Sequence, residues 1–100
     1  MPYRYTIHMI EGFRHKGLQL LYEIGDSRRL QQEQVTRIRR VLTVLDRVTK
    51  PQDANMPGYR LHPLKGDRKG VWSVWISGNW RITFRVENGN VRDVDLVDYH

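Results

Sequence analysis

Residues 80–98 read WRITFRVENGNVRDVDLVD, and this stretch constrains the fold more than any other. Its first half alternates with period two. Trp80, Ile82, Phe84 and Val86 point one way, and Arg81, Thr83 and Arg85 the other. Asn88-Gly89 then interrupts the alternation. That dipeptide is the strongest short hairpin signal, because a type I′ turn needs positive φ at both central residues. The last strand follows, with Val94 and Leu96 expected to share a face with Arg92 and Asp98, and Asp93 and Asp95 on the other face. Upstream, VWSVWIS (71–77) reads as a further strand, joined to the first through a tight turn at SGN. RLHPL (60–64) is a short extended piece in which Pro63 indicates an edge position, and KGDRKG (65–70) is a basic turn.

The first half of the chain carries a different period. Residues 14–24 hold Leu18, Leu21, Tyr22 and Ile24 at helical spacing, with Gly25 as a stop. Residues 31–49 place Val35, Ile38, Val41, Leu42, Leu45 and Val48 on one stripe. Arg37, Arg40 and Arg47 fall on the opposite, solvent-facing side, and Pro51 ends the helix, with room for one helical turn after it. Residues 3–10, YRYTIHMI, read as an additional strand. The order is strand, two helices, then three or four antiparallel strands. It predicts an α+β fold, two helices packed on one face of a twisted, mainly antiparallel sheet of about four to five strands. The open face is expected to be basic, with Arg81 and Arg85 beside Lys65, Arg68 and Lys69.

A chain of 100 residues makes one domain. It has no cysteine, which excludes a disulfide framework, a Cys-based zinc site and a Cys nucleophile. No apolar run is long enough to span a membrane, and MPYRYTIHMIEGF has no signal-peptide core, so a cytoplasmic location is expected. Seventeen Lys and Arg against eleven Asp and Glu give a net charge of +6. Such an excess points to a polyanionic partner, nucleic acid before acidic protein.

The four histidines, His8, His15, His62 and His100, show no metal-ligand spacing. KGDRKG lacks the strand–loop–helix setting of a phosphate loop. No metal or cofactor is expected. What remains suits RNA cleavage without a metal. The 2′-hydroxyl must lose a proton, the leaving 5′-oxygen must gain one, and the phosphate oxygens need fixed cations. His62, Lys65, Arg68, Arg81, Asp98, Tyr99 and His100 supply these groups within the strand-forming half.

Residues 58–100 resemble the core of the HigB toxins, members of the RelE/ParE superfamily of bacterial toxin–antitoxin systems. LHPLKGDRKG, SGNWRITF and the closing DYH carry the likeness most specifically, and it extends back to Met9. Residues 1–8 read as an N-terminal extension of a single toxin domain, and His8 is set aside from any site. The resemblance implies a ribosome-dependent mRNA endonuclease cutting in the A site of the 30S subunit, within the 70S ribosome. It implies His62, Asp98, Tyr99 and His100 as catalytic residues, with acid and base unassigned. Lys65, Arg68, Lys69, Arg81 and Arg85 are then the residues for RNA phosphates, and Arg37, Arg40 and Arg47 a contact to ribosomal RNA. A HigA-like helix-turn-helix antitoxin is the implied partner, with operator DNA engaged only through the antitoxin complex. Two alternatives stand beside this reading: a gyrase poison like the ParE branch, which lacks the His62 and DYH constellation, and a non-catalytic RNA-binding module.

Overall fold

A computed structural model describes residues 10–99. The predicted strand at 3–10 lies outside these residues except for Ile10, and so does His100. Helix α1 spans Lys16–Ile24. It starts two residues later than its periodicity suggests because His15 caps it, the Nδ1 atom accepting from the Leu18 N–H at 3.2 Å. Gly25 closes it, its own N–H and that of Asp26 returning to the Leu21 and Leu20 carbonyls. Ile24, counted with the apolar stripe, is 71% exposed.

Helix α2 is Val35–Leu45, entered through a 3₁₀ turn at Gln32–Gln34. It is shorter than the predicted 31–49 at both ends. After Leu45 the hydrogen bonds tighten to i→i+3, from Arg47 to Val44 and from Val48 to Leu45. Val48 therefore stays buried although the α-helix has already ended. Lys50, extended before Pro51 as its ring requires, leads into one 3₁₀ turn at Pro51–Ala54. The Asp53 carboxylate accepts from the Thr49 N–H, and this bond pulls its pKa down.

Four antiparallel strands follow in simple order: β1 (His62–Pro63), β2 (Trp72–Ser77), β3 (Trp80–Glu87) and β4 (Asn90–Asp98). The β3–β4 turn has φ +54 at Asn88 and +78 at Gly89, as the dipeptide demands. The segment before α1 lies parallel to β4. Ile10 bridges Val91, Phe13 bridges Val94, and the Glu11 and Arg14 N–H groups donate to the Val91 and Val94 carbonyls.

The helices cover one face of the sheet. Leu18, Leu21, Ile38, Val41, Leu42 and Leu45 pack against Val74, Ile76, Ile82, Phe84, Val91, Val94 and Leu96. Between Thr83 and Arg85 the register slips by one. Asp93, at φ +56, is the extra residue of a β-bulge. The bulge corrects the expected alternation in β4. Arg92 sits opposite Arg85 on the open face instead of sharing the face of Val94 and Leu96. Asp98 keeps its expected phase, opposite Trp80.

Candidate functional site

The pleat assembles the open face in rows. His62 of β1 stands opposite Ser73 of β2, Ser73 opposite Thr83 of β3, and Thr83 opposite Asp95 of β4. One row along are Trp75, Arg81 and Val97. Arg81 therefore lies at the middle of the open face, and the Tyr99 ring stands 5.7 Å from its guanidinium carbon. This pair joins two of the predicted site residues. Ser73 Oγ and Arg81 Nε are buried, and neither has a hydrogen-bond partner among the described residues. Buried donors left unpaired are costly, and here both are on one face.

Beside this row is a polar concavity of about 360 Å³ lined by Arg14, Asp67, Arg68, Val71, Thr83, Arg85, Asp93, Asp95 and Val97. It brings together two of the predicted phosphate-binding residues, Arg68 and Arg85. Arg68 ends a 3₁₀ turn at Gly66–Arg68, and the loop around it is closed by the Leu64 N–H donating to the Val71 carbonyl at 2.8 Å. Two local features hold Arg85. The bulge puts the Asp93 carboxylate 3.7 Å from its Nε. Gly70, at φ +94, leaves room for its Nη1, which a Cβ there would meet at 2.8 Å. Lys65 and Lys69 are exposed on the same loop.

The open face is not uniformly basic, as the sequence suggested. Asp67, Asp93 and Asp95 balance Arg14, Arg68 and Arg85 within the concavity. Asp93 and Asp95 were visible as open-face residues from their alternation. Their proximity to Arg68 was not, because it depends on how the 65–70 loop folds over the strands.

The predicted catalytic residues do not form one cluster among the described residues. His62 is exposed on the β1 edge, three strand spacings of about 4.8 Å each from β4. Asp98 occupies the other edge strand on the face of Leu96 and Trp80, while Tyr99 stands over Arg81 on the open side. His100 lies outside the described residues.

The predicted arginine stripe on α2 needs a correction. Arg40 and Arg47 are exposed, Arg47 just past the helix end. Arg37 is not: its guanidinium lies 3.9 Å from the Tyr59 ring centroid and donates to the Gly58 and Trp75 carbonyls. The loop after Asn55 folds back over it, which helical periodicity cannot show.

On the helix side a less polar groove of about 260 Å³ runs between α1 and α2, lined by Leu21, Tyr22, Arg39, Leu42, Thr43 and Asp46. The Tyr22 hydroxyl donates to Asp46, and burial first, then this bond, raises its pKa above the ordinary range. None of the predicted site residues lines this groove. Among the described residues no three of His, Cys, Asp and Glu gather as a metal-holding group, and no helix is long and apolar enough to cross a membrane.

Comparison with known proteins bears on the same residues. The chain is 45% identical over 92 residues to "Endoribonuclease HigB" of Proteus vulgaris, a match covering 92% of this chain and all of that protein. Residues 11–100, which include every described strand and both helices, match the family described as RelE-like toxin of type II toxin-antitoxin system HigB. With both matches spanning the helices, the sheet and its open face, the chain belongs to the HigB-like toxins of type II toxin–antitoxin systems.

Proposed function

We propose that this toxin is an endoribonuclease that cuts mRNA in the A site of the translating ribosome. The observation that carries the reading is the Arg81–Tyr99 pair on the open sheet face, beside the concavity that holds Arg68 and Arg85. A cation centred on an uncovered sheet, with an aromatic ring over it, suits a phosphodiester and its base. The name of the Proteus vulgaris relative supports the same activity.

The reaction is metal-independent transphosphorylation. A base takes the proton of the 2′-hydroxyl, and its oxygen attacks the adjacent phosphorus. The bond to the 5′-oxygen breaks, and that oxygen receives a proton from an acid. The products are a 2′,3′-cyclic phosphate and a 5′-hydroxyl. His62, Asp98 and His100 are the proton-transfer candidates, and Tyr99 holds the nucleotide. Arg81, Arg68, Arg85, Lys65 and Lys69 stabilise the charge that builds on the phosphoryl oxygens. Arg40 and Arg47 contact ribosomal RNA backbone, where neutralising phosphates gives affinity without sequence reading. The toxin works in the cytoplasm, where the ribosomes are. Its antitoxin is a helix-turn-helix protein, which also carries the complex to operator DNA.

The test is primer extension on an mRNA engaged with ribosomes, with wild type beside Arg81→Ala, His62→Ala, Asp98→Ala and Tyr99→Ala. Wild type gives discrete A-site cuts. Arg81→Ala loses on the order of 10²–10³ in rate, as for removal of one charge-stabilising donor. Full cleavage by all four variants would overturn the site. Growth arrest without any cuts would move the reading to gyrase, checked by a supercoiling assay.

A further inference from the structure

We propose that Arg60 is a positioning residue, one that locks His62 into the tautomer with Nδ1 protonated and turns Nε2 toward the RNA. The proposal rests on His62 taking part in the cleavage described above.

Arg60 has φ +53, in the left-handed region that a side chain other than Gly, Asn or Asp seldom adopts. Strain of this kind persists where surrounding structure enforces it, and it gathers at functional sites. Here the enforcing structure is a stack. The Arg60 guanidinium lies 4.5 Å from the Trp75 ring centroid. Arg37 lies 5.0 Å from the same ring and 3.9 Å from that of Tyr59. Arg37 also donates to the carbonyls of Gly58 at 3.1 Å and Trp75 at 3.3 Å. The Trp75 backbone N–H donates to the Tyr59 carbonyl, and its indole N–H to the Gly78 carbonyl at 2.9 Å. Gly58, Tyr59 and Arg60 are thereby tied to β2 through side chain and backbone together.

The turn at Arg60 has one chemical result. It leaves the Arg60 carbonyl oxygen 3.2 Å from His62 Nδ1. A carbonyl only accepts, so Nδ1 must carry the proton of this bond. In neutral His62 the lone pair then belongs to Nε2. Nε2 is the atom that takes the 2′-hydroxyl proton if His62 is the base. It is equally the atom that gives a proton to the 5′-oxygen if His62 is the acid. The Arg60 carbonyl therefore fixes the reacting nitrogen under either assignment. His62 stands opposite Ser73 on the open face, so its ring starts from the side that the RNA would cover.

The test reads the tautomer directly. Multiple-bond ¹H–¹⁵N NMR on the full chain labelled at histidine nitrogen, with His62→Gln to assign the signals, reports which ring nitrogen holds the proton. The variant Arg60→Gly keeps access to positive φ and removes the guanidinium. Arg60→Lys keeps a cation over the indole. Wild type is expected to show neutral His62 protonated at Nδ1. Arg60→Gly moves it toward the Nε2–H form that free histidine favours, and Arg60→Lys restores it. In single-turnover cleavage on ribosomes, Arg60→Gly slows the step about 10-fold without changing half-saturation, and adds nothing further to His62→Ala. An Nε2–H tautomer in wild type, or one unchanged in Arg60→Gly, would overturn the proposal. If the tautomer shifts as expected but His62→Ala cleaves at the full rate, the tautomer lock stands and the catalytic place of His62 falls.

Discussion

The two faces of the sheet are built on opposite rules. The helix-facing side is apolar and closed: Ile82, Phe84, Val91 and Val94 are each 0% exposed. The open side buries polar groups instead. Thr83 and Ser73 are as inaccessible as core residues, Ser73 Oγ and Arg81 Nε lack partners among the described residues, and Asp93 takes a left-handed backbone to reach Arg85. The helix side is not free of such departures, since Gln34 Oε1 is buried there without a partner among the described residues, but they gather on the open face. A face that gathers unpaired buried groups together with a left-handed aspartate is one shaped by something besides folding.

That contrast can be broken by mutation, and Phe84 against Thr83 is the sharpest pair. They are adjacent on β3 and equally buried, on opposite faces. Phe84→Ala should cost about 3–5 kcal/mol of stability by leaving a cavity under the helices. Thr83→Val keeps the shape and removes only the hydroxyl, so it should cost no more than about 1.5 kcal/mol, the net worth of one hydrogen-bonding group. Urea denaturation measures both, and equal losses would erase the distinction between the faces.

Arg37 and Arg40 give the next largest difference. Both are arginines of α2, yet only Arg37 is stacked and bonded to carbonyls. Arg37→Ala should destabilise by about 1–3 kcal/mol, since hydrogen bonds from a charged group and two aromatic contacts are lost together. Arg40→Ala should stay within about 0.5 kcal/mol and show its effect, if any, in ribosome binding. Thermal unfolding of the two variants side by side decides it.

The smallest effect belongs to Asp26, in the loop between the helices. The Arg28 side chain bonds its carboxylate and holds its pKa down at about 2 against an ordinary 3.8. A carboxylate depressed in the folded state contributes stability above pH 3.8, and the contribution is lost as pH falls toward and through 2. The Asp26 side chain is half-buried, but its Arg28 partner is exposed, so solvent screens much of the pair. The melting temperature of Asp26→Asn should therefore converge slightly on that of wild type between pH 5 and pH 2. A gap that widens as the pH falls would contradict the sign.

Much of this architecture could be read before any coordinates. The β3–β4 hairpin was legible because Asn-Gly permits few other turns and because alternating side chains on either side agree about which face is apolar. The helices were legible as stripes, but their ends were not. His15 shortens α1 by capping it, and the tightening after Leu45 keeps Val48 buried outside any helical ladder. The bulge at Asp93 was illegible because alternation reads smoothly through a slip of one residue. Only pairing with β3 reveals that Arg92 has changed face. Most residues of the site could be gathered from the groups that metal-free RNA cleavage needs, the resemblance to a toxin family gave them roles, and their placement had to come from three dimensions. His62 and Asp98 lie on opposite edge strands, and nothing in RLHPL announces the positive φ of Arg60.

The parallel contact of residues 10–14 with β4 has a consequence for timing. Ile10 leaves the ribosome early, but its partner Val91 is made roughly eighty residues later. At about 5–20 residues per second that interval is roughly 4–16 s. Through it the first segment has no strand to lie against, and the edge it will seal does not exist. The two hairpins and the helices can form in the order they emerge. The seal between residues 10–14 and β4 comes last, so the sheet keeps an open edge until its final strand has emerged.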